Sequence, residues 1–319
     1  MRTVFIVNPK AGQGKGNKKF TERIRHVAEK AGTAVEIYTT AGIGDAEILA
    51  RQIAEESNAE PTRIYACGGD GTLNEVVCGM AGCPNAAVTH YPGGSGNDAI
   101  KIFDDPAAFT SIERLLSAEE APFDLIRCND SYALNVLSIG FDARVGTDIA
   151  RFKRLPLVSG KGAYILSIFS NMLHGLTADY TVTLDSGEVF SGRKTMICVC
   201  NGRWYGGGFN PVPEAEPDDG LLDVLVVEKV NLLQVATVVG HYQKGRYADY
   251  PSLIYHARCR SLRIECVKES VVNIDGEAAY TTDAKIELIP QAIRFFYPKG
   301  LTYHTKNSQS GHKFAEITP

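Results

Sequence analysis

The sequence lacks three features, each of which would point to a class of protein. It has no excess of basic residues: 33 lysines and arginines stand against 37 aspartates and glutamates, a formal net charge of −4. That balance argues against a partner made of nucleic acid. No apolar run is long enough to cross a bilayer, since the nearest candidate, 162–176, is short and contains Ser, Asn and His. The first residues do not resemble a cleavable signal, so we expect a cytoplasmic protein.

The eight cysteines form no C-x-x-C pair. Such pairs are typical of zinc sites and redox disulfides, so their absence favours reduced thiols in a cytosolic protein. Cys198 and Cys200 lie two apart in a strand-like run and are predicted to share one face of the strand.

Residues 1–126 alternate strand-like and helix-like segments. The β-rich runs are 3–8, 35–39, 63–67 and 86–91, and a helical pattern follows each of them. This β-α-β-α order predicts a three-layer α/β domain with a mostly parallel sheet and helices on both faces. Ligands of such sheets bind in the loops at the C-terminal ends of the strands.

Residues 127–293 have a different pattern. Short β-rich runs separated by turn residues, such as the run at 131–139, predict an antiparallel, sandwich-like β domain. Helical patterns around 164–174 and 232–244 interrupt these runs. The chain of 319 residues is therefore predicted to form two domains, one α/β and one β-rich.

Three glycine-rich loops, 8–19, 68–75 and 92–98, each follow a predicted strand of the first domain. Glycine lets backbone N–H groups approach a ligand, and a following helix turns its positive end to the same place. A Walker A loop is excluded because Asn17 stands five positions after Gly12, and the dinucleotide fingerprint is excluded because it needs a third glycine there. One such loop is equally consistent with a tight turn, but three together predict a polyphosphate site.

Six segments, in order, resemble the bacterial diacylglycerol-kinase-like lipid kinases, which are related to sphingosine kinases and, more distantly, to NAD kinases. The segment GGDGTLNE resembles the signature loop of that family, and Ser95 stands where threonine is usual in another motif. The resemblance implies an NAD-kinase-like α/β domain, to which the last strand and tail, 294–319, return. The six segments are NPKAGQGK (8–15), TAGIGDA (40–46), GGDGTLNE (68–75), PGGSGND (92–98), PEAEPDDGLLDV (213–224) and NIDGE (273–277).

The resemblance implies ATP bound to the glycine-rich loops. Asp70 would be repelled by a bare triphosphate, but it suits a site where Mg²⁺ lies between carboxylate and phosphate oxygens. A turn-stabilising role for Asp70 is the alternative. The implied nucleotide-binding residues are Asn8, Pro9, Lys10, Ala11, Gly12, Thr40, Gly68, Gly69, Asp70, Gly71, Thr72, Leu73, Asn74, Glu75, Gly94 and Ser95.

The resemblance also implies metal-binding acids in the second half. Glu216, Asp219 and the carbonyl of Leu221 match positions that hold a structural Mg²⁺ in relatives, with Asp218 as a substitute ligand. Asp124 matches an aspartate that joins a water-mediated metal network. Without the resemblance, segment 216–221 could also be a plain acidic turn that binds no metal. Asp124 could also be a surface acid at the end of a strand.

Phosphoryl transfer to a hydroxyl needs a carboxylate that takes or orients the proton. The segment IDGE offers Asp275 and Glu277, and Glu277 is our first candidate for the general base, with Asp275 and Asp70 as rivals. The alternative is a hairpin turn that carries solvated acids.

The acceptor side leaves weaker signals. Segment 202–211 contains Trp204 among glycines and is interpreted either as a lipid entrance or as a hairpin packing Trp204 into the core. A basic run, formed by Arg144, Arg151, Lys153, Arg154 and Lys161, is either a patch that meets anionic lipid or a solvated face.

Together these features predict an ATP-dependent lipid kinase of phospholipid biosynthesis, cytoplasmic and peripherally associated with the membrane. It would transfer the γ-phosphoryl group of ATP to the hydroxyl of a diacylglycerol-like lipid and give a phosphatidate-type product. A homodimer is a further expectation. The alternatives are an NAD kinase, which shares GGDGT but not the later motifs, and a nucleotide-binding regulatory protein without turnover.

Overall fold

The computed structural model describes residues 1–11, 17–152 and 175–304. The α-helices among these residues are α1 (Asn17–Lys30), α2 (Asp45–Glu56), α3 (Asp70–Met80), α4 (Ile112–Leu116), α5 (Phe141–Phe152) and α6 (Leu232–Tyr242). Its described strands are β1 (Arg2–Val7), β2 (Glu36–Thr39), β3 (Thr62–Gly68), β4 (Ala86–Pro92), β5 (Glu119–Cys128), β6 (Ser131–Ala133), β7 (Val136–Gly140), β8 (Ala178–Leu184), β9 (Val189–Cys200), β10 (Leu222–Glu228), β11 (Ile254–Cys259), β12 (Ser261–Ile274) and β13 (Glu277–Tyr297).

The N-terminal half is an α/β domain, as its alternating pattern predicts. Strands β2, β1, β3 and β4 lie side by side in that order and are parallel. β1 and β3 each contain a continuous apolar run of four buried residues, 4–7 and 64–67, which is typical of central parallel strands covered on both faces. The prediction of an α-helix after the third glycine-rich loop is wrong, because a 3₁₀ turn, Ala99–Ile102, follows that loop instead.

The C-terminal half is β-rich and antiparallel, as predicted. Strands β7 to β12 pair antiparallel with one another, and two buried clusters cover opposite faces of this part of the sheet. The single strand expected over 131–139 is instead split into β6 and β7. The split has a physical cause: the N–H groups of Leu134 and Asn135 donate to the carboxylate of Asp275 rather than to a strand partner.

Strand β13 joins the two halves. It pairs antiparallel with β12 and β5, and from Arg294 onward it also pairs parallel with β4. Its register against β5 shifts between Ile289 and Ile293, where Gln291 adopts a positive φ of 50°. The bulge redirects the strand from one half of the molecule into the other.

An aromatic cluster forms the core where β13 enters the N-terminal half. Phe295 stacks on Phe123 with ring centroids 5.2 Å apart, and Tyr303 contacts Phe123 and Phe103.

All eight cysteines are free thiols, and the Cys198 and Cys200 sulfurs lie 3.6 Å apart on one buried face. The predicted helix at 164–174, Gly12 in the first loop and the tail after 304 lie outside the described residues.

Candidate active site

The second and third glycine-rich loops touch each other at the C-terminal edge of the parallel strands. The Gly93 N–H donates to the Gly68 carbonyl at 2.6 Å, and the Nε2 of buried His90 donates to the same oxygen at 2.9 Å. A Cβ on Gly94 would lie 2.6 Å from the Gly69 Cα. The two backbones can therefore approach each other only because both positions are glycine.

A first cavity, here called the loop cavity, has a volume of about 240 Å³ and lies between the first and second loops. The Asn8 side chain donates to the Thr72 hydroxyl at 3.0 Å, so the first loop is tied to the N-terminal turn of α3. The positive end of that helix faces this space and favours an anion there. Its walls include Pro9, Lys10, Thr40, Gly69, Gly71 and Glu277.

Of the residues implied for nucleotide binding, Glu75 lines the loop cavity and also contacts α2, whereas Leu73 and Asn74 lie outside that cavity. The Glu75 carboxylate accepts the N–H groups of Gly44 and Ala46, and so caps the N-terminus of α2. Leu73 and Asn74 are buried and line the opposite side of α3 from the loop cavity.

A second cavity, here called the acidic cavity, has a volume of about 270 Å³ and lies on the other side of the first turn of α3. Its wall combines carboxylates with apolar and aromatic side chains, and no lysine or arginine is among its described lining residues. Ser95 lies here rather than in the loop cavity. The carboxylates belong to Asp70, Asp98, Asp142 and Asp275, and the apolar wall includes Val136, Val145, Trp204 and Phe209.

Asp70 organises the third loop. Its two carboxylate oxygens accept the N–H groups of Asp98 at 2.6 Å and Asn97 at 2.8 Å. Asp98 in turn accepts the Gly207 N–H at 2.7 Å and pairs with Lys101. Burial raises the pKa of Asp98, and the neighbouring Asp70 charge acts in the same direction.

Asp275 is held by backbone alone. It adopts a positive φ of 48°, and its carboxylate accepts the N–H groups of Leu134, Asn135 and Val136 at 2.6–3.2 Å. Burial raises the pKa of Asp275 to about 6, although the three hydrogen bonds lower it and the Asp70 charge adds to the rise. A carboxylate held in one orientation with a pKa near neutrality is suited to proton transfer.

The two acids of the IDGE segment face different cavities. Asp275 lines the acidic cavity, whereas Glu277 is exposed and lines the loop cavity. A Cβ on Gly71 would lie 3.3 Å from a Glu277 carboxylate oxygen, which places that side chain over the first turn of α3. The choice of Glu277 as general base stays a prediction.

Sequence reasoning missed Asp142 and, as a site acid, Asp98. Asp142 is in the first turn of α5 and hydrogen-bonds to Ser138 and to Tyr205, whose hydroxyl lies 3.3 Å from that of Tyr242. Burial raises the pKa of Asp142. Asp98 is part of the quoted PGGSGND segment, but no local pattern distinguishes Asp142 from an ordinary surface acid of a helix.

Asp124 is not the surface acid that its position at a strand end suggested. It is 1% exposed, and its carboxylate accepts the N–H groups of Gln291 at 2.7 Å and Gly220 at 2.9 Å. Burial raises the pKa of this carboxyl group, while the two hydrogen bonds lower it. Its implied role in a metal network stays a prediction.

Two of the acids implied for a structural Mg²⁺ lie beside basic side chains of the protein. One oxygen of Asp219 pairs with Arg258, and the other accepts the Leu221 N–H at 3.0 Å. Glu216 lies 3.7 Å from the Arg203 guanidinium and 3.4 Å from the His304 ring. Asp219 and Glu216 thus each have an arginine beside them, and their metal assignment stays a prediction.

Asp218 lies near Glu216. Its carboxylate accepts the Tyr303 hydroxyl at 2.8 Å and lies 3.9 Å from the His304 ring. Glu216, Asp218 and His304 each offer one ligand atom, and these atoms lie within 4.8 Å of one another, close enough to hold a metal ion. The Asp218 contacts also tie the C-terminal segment to the 213–221 loop.

Trp204 packs against the core, as one interpretation of its segment expected, and the lipid entrance stays a prediction. It lines the acidic cavity and is also partly buried against the N-terminal core, with Lys101 Nζ 5.8 Å from its ring centre.

Of the basic run, only the side chain of Arg144 is described, and it donates to the Gly175 carbonyl. The side chains of Arg151, Lys153, Arg154 and Lys161 lie outside the described residues. Within the described part of the chain, no helix combines the length and the apolar character needed to span a bilayer.

Comparison with known proteins finds family models that match both halves of the chain. Residues 2–128 match the family described as diacylglycerol kinase catalytic domain, and residues 135–297 match the one described as YegS C-terminal NAD kinase beta sandwich-like domain. The second match alone spans just over half of the chain.

Relatives and solved structures match along almost the whole chain. A diacylglycerol kinase of Staphylococcus epidermidis is 28% identical over 93% of this chain and 92% of its own length. One of Staphylococcus aureus is 27% identical over 94% and 93%. A crystal structure of a diacylglycerol kinase from Bacillus anthracis covers 94% of this chain and 98% of its own, with a TM-score of 0.68 and 22% identity, and supports the fold. The chain belongs to the diacylglycerol-kinase-like family of lipid kinases.

Proposed function

We propose that the protein transfers the γ-phosphoryl group of ATP to the hydroxyl of a diacylglycerol-like lipid and releases a phosphatidate-type product. One observation carries the proposal: two cavities lie on opposite sides of the first turn of α3. The loop cavity has the glycines and the helix N-terminus that a triphosphate needs. The acidic cavity has the apolar wall and the carboxylates that a hydroxylated lipid needs.

On the nucleotide side, backbone groups do most of the binding. Gly69 and Gly71 have no Cβ, so phosphate oxygens can approach their N–H groups. Thr72 and Asn8 hold the two loops at a fixed separation through their 3.0 Å hydrogen bond. Such a site is preorganised, because the donors are oriented before ATP binds.

On the acceptor side, we choose Asp275 over Glu277 as the group that takes the hydroxyl proton. Asp275 lines the acidic cavity and its pKa is raised to about 6, so near pH 7 it is ionised yet basic enough to accept a proton. The three backbone hydrogen bonds fix its position relative to the segment that begins β7. Glu277 faces the loop cavity and would act on the nucleotide side.

The acidic cavity also fits a divalent cation that accompanies ATP. Asp70 and Asp275 raise the negative potential of this space, and carboxylate oxygens are the ligands that Mg²⁺ prefers. Each Asp70 oxygen accepts one backbone N–H and keeps a further lone pair for an ion. When bound, Mg²⁺ would neutralise charge on the transferring phosphoryl group.

The partner implied by this reaction is a lipid at a membrane surface, which a peripheral, cytoplasmic enzyme reaches without crossing the bilayer. The sequence also left a homodimer open, and it stays a prediction. An NAD kinase is the weaker alternative, because curated relatives that match over 93–94% of the chain are named diacylglycerol kinases or a putative lipid kinase.

The test is a phosphoryl-transfer assay with radiolabelled ATP, Mg²⁺ and a panel of acceptors in mixed micelles, separated by thin-layer chromatography. The panel contains a diacylglycerol, phosphatidylglycerol, a sphingoid base and, in solution, NAD. We expect label in a lipid product. Label only in NAD would replace the proposal by the NAD kinase alternative. ATP binding without any labelled product would favour a regulatory protein.

A further inference from the structure

Helix α6 has no charged residue along its length. Its sequence, LLQVATVVGHY, contains none of the four charged residue types. One side of the helix, which carries Val238 and Tyr242, is buried in a core cluster of the C-terminal half. The opposite side is therefore the part of α6 that remains available to other molecules.

That opposite side is apolar and exposed. Leu233, Ala236, Thr237 and Gly240 follow the i, i+3, i+4, i+7 spacing of one helical face, and Leu233 is 81% exposed. Val239, at the margin of the face, is 36% exposed. We call these five residues the α6 face.

The α6 face has no polar side-chain group that needs water. The Thr237 hydroxyl is within 3.0–3.2 Å of the Leu233 and Gln234 carbonyls, so its hydrogen bond is made inside the helix. Asn231 caps the N-terminus with a complete capping box, which satisfies the first N–H groups of the helix. The face can therefore leave water without losing hydrogen bonds.

Basic side chains flank the α6 face at both ends. Lys229 precedes the helix and Lys244 follows it, and both are exposed. The acids nearby have partners already: Glu228 pairs with Lys194, and Asp249 pairs with Arg246. An uncharged helical face between two lysines is complementary to an anionic bilayer, with its apolar interior and negative headgroups.

The C-terminal end of α6 contacts the wall of the acidic cavity. The Tyr242 hydroxyl lies 3.3 Å from that of Tyr205, which lines the cavity. The Gln243 side chain donates to the Gly208 carbonyl at 3.2 Å. A bilayer in contact with α6 would therefore lie beside the 202–211 segment, which borders the acidic cavity.

We propose that the α6 face is the surface by which the protein docks on an anionic lipid bilayer, bringing the mouth of the acidic cavity to its acceptor. This inference rests on the proposed function only for the identity of the acceptor. Docking itself is a binding event and can be measured without turnover.

The test compares Leu233→Glu with Val267→Glu, a matched control at an apolar residue that is 77% exposed on β12. Binding is measured by co-sedimentation with vesicles of phosphatidylcholine and phosphatidylglycerol. We expect Leu233→Glu to reduce vesicle binding by roughly tenfold or more, because a charge enters the apolar face. We expect Val267→Glu to bind like the wild type. A double variant, Lys229→Glu with Lys244→Glu, should bind less to vesicles that contain anionic phosphatidylglycerol, because it lacks the two flanking positive charges.

A second readout separates docking from chemistry. With a short-chain diacylglycerol dissolved as monomers, Leu233→Glu should keep wild-type turnover, whereas with diacylglycerol embedded in vesicles it should lose it. A different result would separate the two proposals. If the wild type binds vesicles but phosphorylates no lipid, and the Leu233→Glu variant no longer binds vesicles, the docking surface stands and the proposed function fails.

Three outcomes would overturn the inference. The first is equal vesicle binding by the Leu233→Glu and Val267→Glu variants. The second is a wild type that does not bind vesicles at all. The third is a wild-type dimer, seen by sedimentation velocity, that becomes a monomer in Leu233→Glu without loss of vesicle binding; that result would assign the face to a second copy of the chain.

Discussion

The carboxylate of Asp124 accepts the backbone N–H of Gln291 at 2.7 Å, at the bulge where β13 passes from one half of the molecule to the other. Its second oxygen accepts the N–H of Gly220 at 2.9 Å. One side chain of β5 therefore fixes both the bend of β13 and the loop before β10. Because both cavities are bounded by segments from each half, this bend sets how the halves face each other.

Replacing Asp124 by asparagine should destabilise the fold. The amide NH₂ would face a backbone N–H donor, so one buried donor loses its acceptor, at a cost of about 1–3 kcal/mol. The measurement is the free energy of unfolding in urea. Asp130→Asn, at an exposed turn, is the control and should change stability by less than about 0.5 kcal/mol. Equal effects of the two variants would contradict the role given to Asp124.

Replacing Gly69 by valine should abolish ATP binding. A Cβ at this position would already lie 3.3 Å from the Gly94 Cα, and the branched methyls would enter the space where phosphate approaches the backbone. Calorimetric titration of the folded variant with ATP is the measurement. Gly240→Ala, where nothing lies within 4 Å of the added Cβ, is the control. Retained affinity in Gly69→Val would move the nucleotide elsewhere.

Replacing Asp275 by asparagine should reduce kcat by about 10²–10⁴-fold if Asp275 takes the acceptor proton. Glu277→Gln is the matched comparison, because it removes the other acid of the same segment without changing its size. We expect the smaller effect there, and a change in the KM for ATP rather than in kcat. The reverse order would assign the base to Glu277, and no tenfold loss in either variant would make Asp70 the residue to test.

The same carboxyl group should give the activity a pH dependence. The ionised form of Asp275 accepts the proton, so kcat/KM should fall as the pH drops through about 6, the raised pKa of this group. Its effect on stability has the opposite sign. Because the folded pKa is above the ordinary 3.8, the stabilising contribution is complete below about pH 3.8 and is lost as the pH rises through about 6. Asp275→Asn should remove both dependences; an unchanged acid limb would exclude Asp275 as the base.

Removing Arg258 should make the stability of the protein dependent on Mg²⁺. The guanidinium pairs with Asp219 and lies 3.4 Å from Asp223, so its loss leaves two acids without that cation. We expect Arg258→Ala to lower the Tm in EDTA and to recover part of it in Mg²⁺, in the absence of nucleotide. The Tm of the wild type should respond less. A strong Mg²⁺ response of the wild type that Asp219→Ala abolishes would instead establish a structural metal ion at this loop.

Much of the fold could be predicted from local patterns. Continuous apolar runs identified β1 and β3 as buried parallel strands, and glycines marked the loops that follow them. The split of the 131–139 run into β6 and β7 could not be predicted, because it depends on Asp275, which is about 140 residues further along the chain. Local propensity contains no information about such a partner.

The candidate site shows the same division. The quoted motifs contain Asp70 and Asp275, and the structure places both around one cavity. Asp142 was missed because a single acid in the first turn of a helix is common on protein surfaces. The different directions of Asp275 and Glu277 depend on a turn with positive φ at Asp275, which residue spacing does not reveal.

Because β13 joins the two halves, the order of synthesis conflicts with the order of the strands in space. In the described sheet, β4 lies between β3 and β13, yet β13 is made about 190 residues after β4. A nascent N-terminal half on the ribosome therefore has an open, apolar strand edge, which is the kind of edge that invites wrong pairing. Completion of the nucleotide-binding half must wait until residue 297 has left the ribosome, so this half cannot finish folding as an independent N-terminal unit.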